Sequence, residues 1–163
     1  MFFCVLQYSI MTSATAEKLH SPQVRQFSVF LQNKVGALLE VVRLLDDNNI
    51  IVLALSIAES SESAIGRMIV SDPDRASELF LERDIPHSEC ALMVVELDEG
   101  PGDLSRVLAA LLMAEVNIHF SYPLLVRPRG RAVLALHLDD IECSSSVLRG
   151  EGFQLLSQGD LSR

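Results

Sequence analysis

The sequence has no tryptophan, two tyrosines, and 13 basic residues against 22 acidic ones. A net charge of -9 repels the phosphate backbone of nucleic acids, whose binding depends on clustered lysines and arginines. Proteins that bind RNA on an exposed β-sheet need basic and aromatic residues on that sheet, and both are scarce here. The composition therefore predicts that nucleic acid is not a partner.

Cysteine is also scarce. Cys4, Cys90 and Cys143 lie far apart, with no CxxC pair and no neighbouring histidine at the spacing of metal ligands. We therefore expect reduced thiols, no metal and a cytoplasmic protein. A nucleophile with a neighbouring base and a phosphate-binding loop are missing as well, so the sequence predicts no enzyme and no cofactor.

Long hydrophobic runs are missing, since no apolar stretch approaches the ~20 residues that span a bilayer. No membrane association is expected. The apolar opening at 1–11 lacks the positive start of a secretory signal and is interrupted by Gln7 and Ser9. We expect residues 1–23 to be an N-terminal tail; a signal peptide and a true start at Met11 are the alternatives.

What the chain does contain is a repeat within a composition that is 49% hydrophobic. A glycine turn leads directly into an amphipathic helix twice, at Gly36 and, 66 positions later, at Gly102. The same offset superimposes two sets of apolar residues with the i, i+3, i+4, i+7 spacing of one helical face. They are Leu38, Val41, Val42 and Leu45 in the first copy and Leu104, Val107, Leu108 and Leu111 in the second. The chain therefore contains two related units.

The sequence pattern of the first unit predicts alternating strands and helices. Alternation predicts a strand over 24–31, followed by a helix over 37–48 and strands over 50–58 and 65–71. A second helix begins at Pro73 with Asp72 as its cap and ends near 83. One more strand completes a βαββαβ, or ferredoxin-like, unit, in which two helices cover one face of an antiparallel sheet. The fold class is α+β.

The segment 88–98 is too long to be only the closing strand of the first unit. We expect it also to supply the first strand of the second unit, so that the two domains, 24–90 and 91–163, are joined rigidly without a linker. For the second unit, the sequence pattern predicts a helix over 103–114 and strands over 116–126 and 131–138. A helix capped by Asp139 and Asp140 and a last strand over 153–156 follow. The basic cluster at 127–131 is interpreted as a solvated hairpin tip, with contact to an anion or acidic partner as the alternative.

Particular motifs accompany this pattern. The first unit carries Asn33-Lys-Val-Gly-Ala-Leu38 at its turn and Arg67-Met-Ile-Val-Ser-Asp-Pro73 later, and the second carries Glu99-Gly-Pro-Gly-Asp-Leu104 and Val116-Asn117-Ile118. Over about residues 24–157 the chain resembles the ACT domain family, specifically its tandem, stand-alone members. The resemblance implies a non-catalytic regulatory protein that binds a small amino acid where modules meet. It also implies a homodimer with modules paired edge to edge, and an output through oligomerisation or contact with another protein such as a regulated enzyme.

The resemblance places the ligand at the two turns and at the second strand. A glycine before a helix lets a ligand approach the backbone, and the first-turn N–H groups favour a carboxylate. Lys34 makes the first turn neutral to basic, whereas Glu99 and Asp103 make the second acidic and suited to an α-ammonium. The candidate ligand-binding residues are Asn33, Lys34, Val35, Gly36, Ala37, Leu38, Glu99, Pro101, Gly102, Asp103, Leu104, Asn117, Ile118 and Tyr122.

The two copies are not equivalent. Ile51 stands where Asn117 does, and Ala64 replaces a glycine that is frequent in the family. The sequence thus predicts unequal sites, with the second turn the better matched.

Several alternatives stay open. In one alternative the glycines only form turns, and Asp103 interacts favourably with the helix dipole. In another the protein is a ligand-free dimerisation or docking module. A catalytic role for His119 or His137 is the weakest alternative, since a lone strand histidine is more often packed or at the surface.

Overall fold

The computed structural model describes residues 22–32, 36–59 and 63–162, in which one order of elements occurs twice. The first set consists of β1 (Val24–Leu31), α1 (Ala37–Asp47), β2 (Val52–Glu59), β3 (Ala64–Val70), α2 (Pro73–Glu82) and β4 (His87–Leu97). After a 3₁₀ turn (Gly100–Asp103) come α3 (Leu104–Met113), β5 (Ile118–Pro123), β6 (Ala132–Leu138), α4 (Ile141–Gly150), β7 (Leu155–Leu156) and a short α5 (Gln158–Leu161).

The long strand β4 belongs to both units. All pairings are antiparallel, in the order β2-β3-β1-β4-β6-β5, with β7 also beside β4. Residues 87–92 of β4 pair with β1, and residues 93–97 pair with β6. Each unit thus has the strand order of a ferredoxin-like fold, and the predicted fold class is confirmed.

The helices cover one face of each sheet. In the first unit Phe27, Val29 and Met68 project from the strands and pack with α1 and α2 residues such as Leu45 and Phe80. In the second unit the corresponding residues of β4 and β6 pack with α3 and α4. These are the alternating strand positions that the sequence assigns to one side.

The opposite, helix-free faces of the two units pack against each other. Val24, Ala54 and Ile69 of the first unit form one core with Tyr122 and Ala135 of the second. The outer strands β2 and β5 approach each other, and a backbone N–H after β5 donates to the Leu53 carbonyl over 2.8 Å. Within one chain the units therefore meet face to face, whereas the resemblance implied modules paired edge to edge.

Several predicted boundaries shift. The second strand of the second unit covers only 118–123, because Val116 is still hydrogen-bonded to the end of α3. Asp140 caps α4 as expected, but Asp139 instead accepts hydrogen bonds from Asn117. The helix α5, which was not predicted, is fixed by a capping box between Ser157 and Asp160.

The prediction for the buried face of α3 was wrong in part. Leu104 and Leu108 are 40% and 42% exposed, while Val107, Ala110 and Leu111 face the sheet. The helix is apolar nearly all round, so its periodicity fits more than one face.

The basic hairpin tip is also more than a solvated loop. Arg129 and Arg131 form ion pairs with Glu96, whose side chain is fully buried. The acidic partner considered as the alternative therefore lies within the same chain.

Candidate ligand-binding site

The start of α1 is open to a ligand. Gly36 precedes the helix with a φ of 89°, in the left-handed region that favours glycine, and a Cβ built there would meet nothing within 4 Å. Among the described residues no side chain caps this helix, whereas Asp72 and Asp140 cap α2 and α4. The N–H groups of the first turn of α1 are therefore available to an anion.

A cavity of about 410 Å³ lies beside this helix start. It is bounded by the end of β1, one side of α1 and the turn between α2 and β4. Its lining comprises Val29, Phe30, Leu31, Gln32, Ala37, Glu40, Val41, Leu44, Arg83, Asp84, Ile85 and Pro86. The volume lies in the range of small-molecule sites, and the mixture of apolar residues with a few charged ones is typical of them.

Charges of both signs line this cavity. Arg83 is exposed and forms no ion pair with any residue that the structure describes. Glu40 and Asp84 supply carboxylates to the same cavity. A cation for a carboxylate and an acid for an ammonium together fit a zwitterion.

In the second unit the corresponding turn is occupied by its own residues. The buried Asp103 carboxylate accepts from the Glu99 N–H over 2.8 Å and from Arg106 Nη1 over 2.8 Å. The Glu99 N–H, together with Arg106, holds the pKa of Asp103 below its usual value. The left-handed glycine of this turn is Gly100, with a φ of 63°, and not Gly102.

Arg106 makes two further contacts beside α3. Its guanidinium lies 4.8 Å from the centre of the Phe153 ring and donates to the Glu151 carbonyl over 3.2 Å. By the 66-residue repeat, Arg106 occupies the position of Glu40, which lines the cavity of the first unit. A second cavity, of about 320 Å³, is lined by Arg149 and residues 152–155, and no residue of the Glu99–Leu104 turn lines it.

The structure brings together only some of the predicted residues. Ala37 lines the cavity beside Gly36, and Leu38 packs into the core of the first unit. Asn33, Lys34 and Val35 lie outside the described residues. Around the second turn, Glu99, Pro101, Gly102 and Leu104 are exposed.

The predicted residues on β5 lie elsewhere. Ile118 pairs with Leu138 at one end of β6. Ala132 lies at the other end of β6 and pairs with the end of β4. Six residues of strand separate the two ends, or about 20 Å. The side chain of Asn117 donates to Asp139 over 2.8 Å at this far end. Tyr122 is buried between the units, so neither residue joins the second turn of its own unit.

The charged residues of the first cavity were missed by sequence reasoning. Glu40, Arg83 and Asp84 resemble ordinary solvated residues on or just after helices. Comparison of the repeats offers one signal, because position 40 carries an acid where position 106 carries a base. The contact between α1 and the turn after α2 is tertiary, and no local pattern predicts it.

Within the described part of the chain, no group of three histidine, cysteine or acidic residues is placed to hold a metal ion. None of the described helices combines the length and hydrophobicity that a bilayer crossing requires.

Comparison with known proteins agrees with the fold. Residues 22–163 match the family model described as an ACT domain pair. The structure of protein BT0572 from Bacteroides thetaiotaomicron is 30% identical, with a TM-score of 0.79, and the match covers 87% of this chain and 97% of that one. A search of curated proteins finds no match.

More distant structures share the fold alone. The regulatory subunit of aspartate kinase from Thermus thermophilus, in its ligand-free form, is 13% identical with a TM-score of 0.54, covering 78% of this chain and 89% of that one. Its counterpart from Thermus flavus is 12% identical with a TM-score of 0.50, covering 79% and 92%. The resemblance predicted from the two glycine turns is thus confirmed, and the chain belongs to the family of ACT domain pairs.

Proposed function

We propose that this ACT domain pair is a non-catalytic regulatory protein that binds one small amino acid in the cavity beside α1. The observation that carries the proposal is the combination, in one cavity of about 410 Å³, of an uncapped helix start with charges of both signs. The ligand's carboxylate meets the first-turn N–H groups of α1 and the guanidinium of Arg83. Its ammonium meets the acidic side, formed by Glu40 and Asp84.

The apolar lining selects the side chain of the amino acid. Phe30, Val41, Leu44 and Ile85 border the same cavity as the charged groups. A small aliphatic side chain buries apolar surface there, at roughly 25 cal/mol per Å². A charged side chain would lose hydration without a matching partner, so small apolar amino acids are the favoured ligands.

In this proposal the two units bind the amino acid with unequal affinity, but in the opposite order to the one that the sequence predicts. The sequence favoured the acidic second turn, where Asp103 and Glu99 would hold the ammonium. In the structure Asp103 is buried with two donors, and Arg106 lies against Phe153. A ligand at the second turn would have to displace these contacts, so we assign the stronger site to the first unit.

Replacing Arg83 with glutamine tests the site. Calorimetry of the full chain against the small aliphatic amino acids is expected to show affinity about tenfold weaker, as loss of one charge-assisted contact implies. Arg149 is the matched control, since it lies 66 positions later at the end of α4 and is also exposed. The Arg149→Gln variant should bind like the wild type. Unchanged binding in Arg83→Gln, or loss only in Arg149→Gln, would contradict this placement.

We further propose that the protein acts as a homodimer through α3. Leu104, Leu108, Leu112 and Met113 are exposed on this helix, the last two by 76% and 84%. The three leucines follow each other at intervals of four and form one stripe. Isolated soluble proteins rarely leave such a stripe uncovered, and a second copy of the same helix would cover it.

A charge in the middle of this stripe tests the dimer. Light scattering should report a dimer for the wild type and a monomer for Leu108→Glu, because pairing would bury an unpaired carboxylate. Leu81→Glu on α2, where the leucine is 68% exposed, is the control and should remain dimeric. A monomeric wild type would refute the proposal.

The alternative of a ligand-free docking module rests on the same stripe. It predicts a dimer that no amino acid stabilises in a thermal-shift screen, whereas a bound ligand must raise the melting temperature by mass action.

A further inference from the structure

A group of cationic and aromatic side chains lies at the seam between the two units. The Arg67 guanidinium of β3 is 4.1 Å from the centre of the Phe120 ring of β5. The His137 ring of β6 stacks on Phe120 with centres 4.7 Å apart and an interplanar angle of 18°. His119 lies beside His137, at 5.1 Å. Side chains from both units therefore meet at one place, which we call the seam cluster (Arg67, His119, Phe120 and His137).

The seam cluster contains a cation without a counter-charge. Arg25, Arg67 and Arg75 are the described arginines that are partly buried, and both Arg25 and Arg75 form ion pairs with acidic side chains. Arg67 forms no ion pair within the described residues. The charge of Arg67 is thus left for a group that the described chain does not supply.

The uncharged groups around Arg67 cannot neutralise it. In the sheet Arg67 pairs with Ser28 of β1 and Ser56 of β2. The other titratable groups under its influence are Cys90 of β4, Tyr122 of β5 and His137 of β6. Burial raises the pKa of Cys90 and of Tyr122, so neither supplies a negative charge near neutral pH.

His137 adds an unused polar atom. Its Nδ1 is buried and has no hydrogen-bond partner in the described structure. A buried polar atom without a partner is costly and uncommon in native proteins. Burial, then the neighbouring His119 and Arg67, lower the pKa of His137. A carboxylate bound beside the Phe120 ring would accept from Arg67 and, in the tautomer that carries the proton on Nδ1, from His137.

The neighbouring backbone is irregular. The register of β5 against β6 shifts between Ile118 and Phe120, which leaves His119 in a β-bulge. Bulges frequently redirect a side chain next to a functional site. His119 is exposed, and Arg67, Phe120 and His137 are each half-buried, so the cluster is accessible from solvent.

We infer that the seam cluster binds a small carboxylate that lacks an ammonium group, of the class of the 2-oxo acids. A guanidinium lying on an aromatic ring keeps its N–H edge free for bidentate contact with a carboxylate. An amino acid fits less well, because its ammonium would face Arg67 and two histidines, and the described members of the cluster include no acid. This site differs from the cavity beside α1 in residues and in ligand class. Because both units contribute, an occupied site would hold them together.

The matched pair of probes is pyruvate and L-alanine. Pyruvate carries a keto oxygen at C2, whereas L-alanine carries an ammonium there. Histidine ring NMR of the full chain should show saturable shifts of His119 and His137 with pyruvate and smaller ones with L-alanine. Bound pyruvate should also raise the pKa of His137, since an anion favours the protonated ring. By reciprocity, pyruvate should bind more tightly as the pH falls through this pKa.

Variants then locate the site. Arg67→Gln should weaken pyruvate binding by about tenfold or more and remove the change in histidine pKa. Arg43→Gln, at an exposed arginine of α1, should do neither. Arg67→Lys keeps the charge without the planar fork and should weaken binding partly, which provides a test if Arg67→Gln does not fold.

Three results would overturn the inference: histidine resonances that pyruvate leaves unmoved, equal responses to L-alanine, or unchanged binding in both Arg67 variants. Arg83→Gln should leave the pyruvate response intact. Failure of the amino-acid site and failure of the seam site are therefore separate outcomes.

Discussion

Replacing Phe80 with alanine should lower the free energy of unfolding by about 3–5 kcal/mol, the usual cost of such a truncation in a packed core. Phe80 is fully buried on α2. Its ring meets Phe27 edge to face at 5.4 Å and His87 at 5.2 Å. The rigid backbone of three paired strands beneath it limits how far the cavity can collapse, so the expected loss lies well above that of an average substitution.

The same variant should show whether the two units unfold together. Strand β4 belongs to both sheets, and their helix-free faces share one core. We expect one cooperative unfolding transition in denaturant. The variant should also lower the hydrogen-exchange protection of the amides of α3, in the other unit, by the same amount as that of the amides of α1. Leu81→Ala, one residue along α2 and 68% exposed in the native protein, should cost less than about 0.5 kcal/mol. Two separate transitions would mean that the units are independent domains.

Much of the fold was predictable because its signals are local. Alternation in β1 and the Asp72-Pro73 cap of α2 locate these elements within a residue or two of their observed ends. The shared strand β4 followed from length alone, since an eleven-residue extended segment exceeds what one small sheet needs. The internal repeat supplied the rest, because one recognised unit predicts the order of the other.

The packing between the units was not predictable in the same way. Gln26, Arg67 and Tyr122 occur at strand positions that alternate with core residues, where a half-exposed sheet would present polar side chains to water. In the structure the Tyr122 hydroxyl donates to Gln26 over 2.7 Å between the sheets. Which face of a sheet becomes an interface depends on the twist and curvature of the paired sheet. The periodicity of the sequence carries no information about that curvature.

The candidate site was predictable only in outline. The glycine turn before α1 follows from sequence, but no local motif marks Glu40 and Arg83, the charged residues that line the cavity beside it. The repeat clarifies the asymmetry. At one repeated position Glu40 borders the cavity of the first unit, whereas Arg106 lies against Phe153 in the second. Two copies with the same order of helices and strands thus differ at this position in the sign of the charge.

The second large effect is expected at the hairpin between β5 and β6. The Glu96 side chain is fully buried, and its Oε1 accepts from Arg131 Nη1 over 3.0 Å. Its Oε2 has no hydrogen bond within the described structure and lies 3.8 Å from Arg129 Nε. Arg131 is thus the main group that neutralises a buried carboxylate, and removing it leaves that charge largely uncompensated.

Arg131→Ala should therefore lower the free energy of unfolding by about 3 kcal/mol, near the lower limit for breaking a buried ion pair because Arg131 itself is half-exposed. Denaturant unfolding of a double-mutant cycle isolates the cause. In the Glu96→Gln background the same substitution should cost less than about 1 kcal/mol, since an uncharged amide tolerates the loss of the cation. Arg127→Ala, at an exposed arginine of the same hairpin, is the matched control and should be nearly neutral. An equal cost of Arg131→Ala in both backgrounds would show that the arginine acts through packing of its aliphatic stem, and that Glu96 tolerates burial without it.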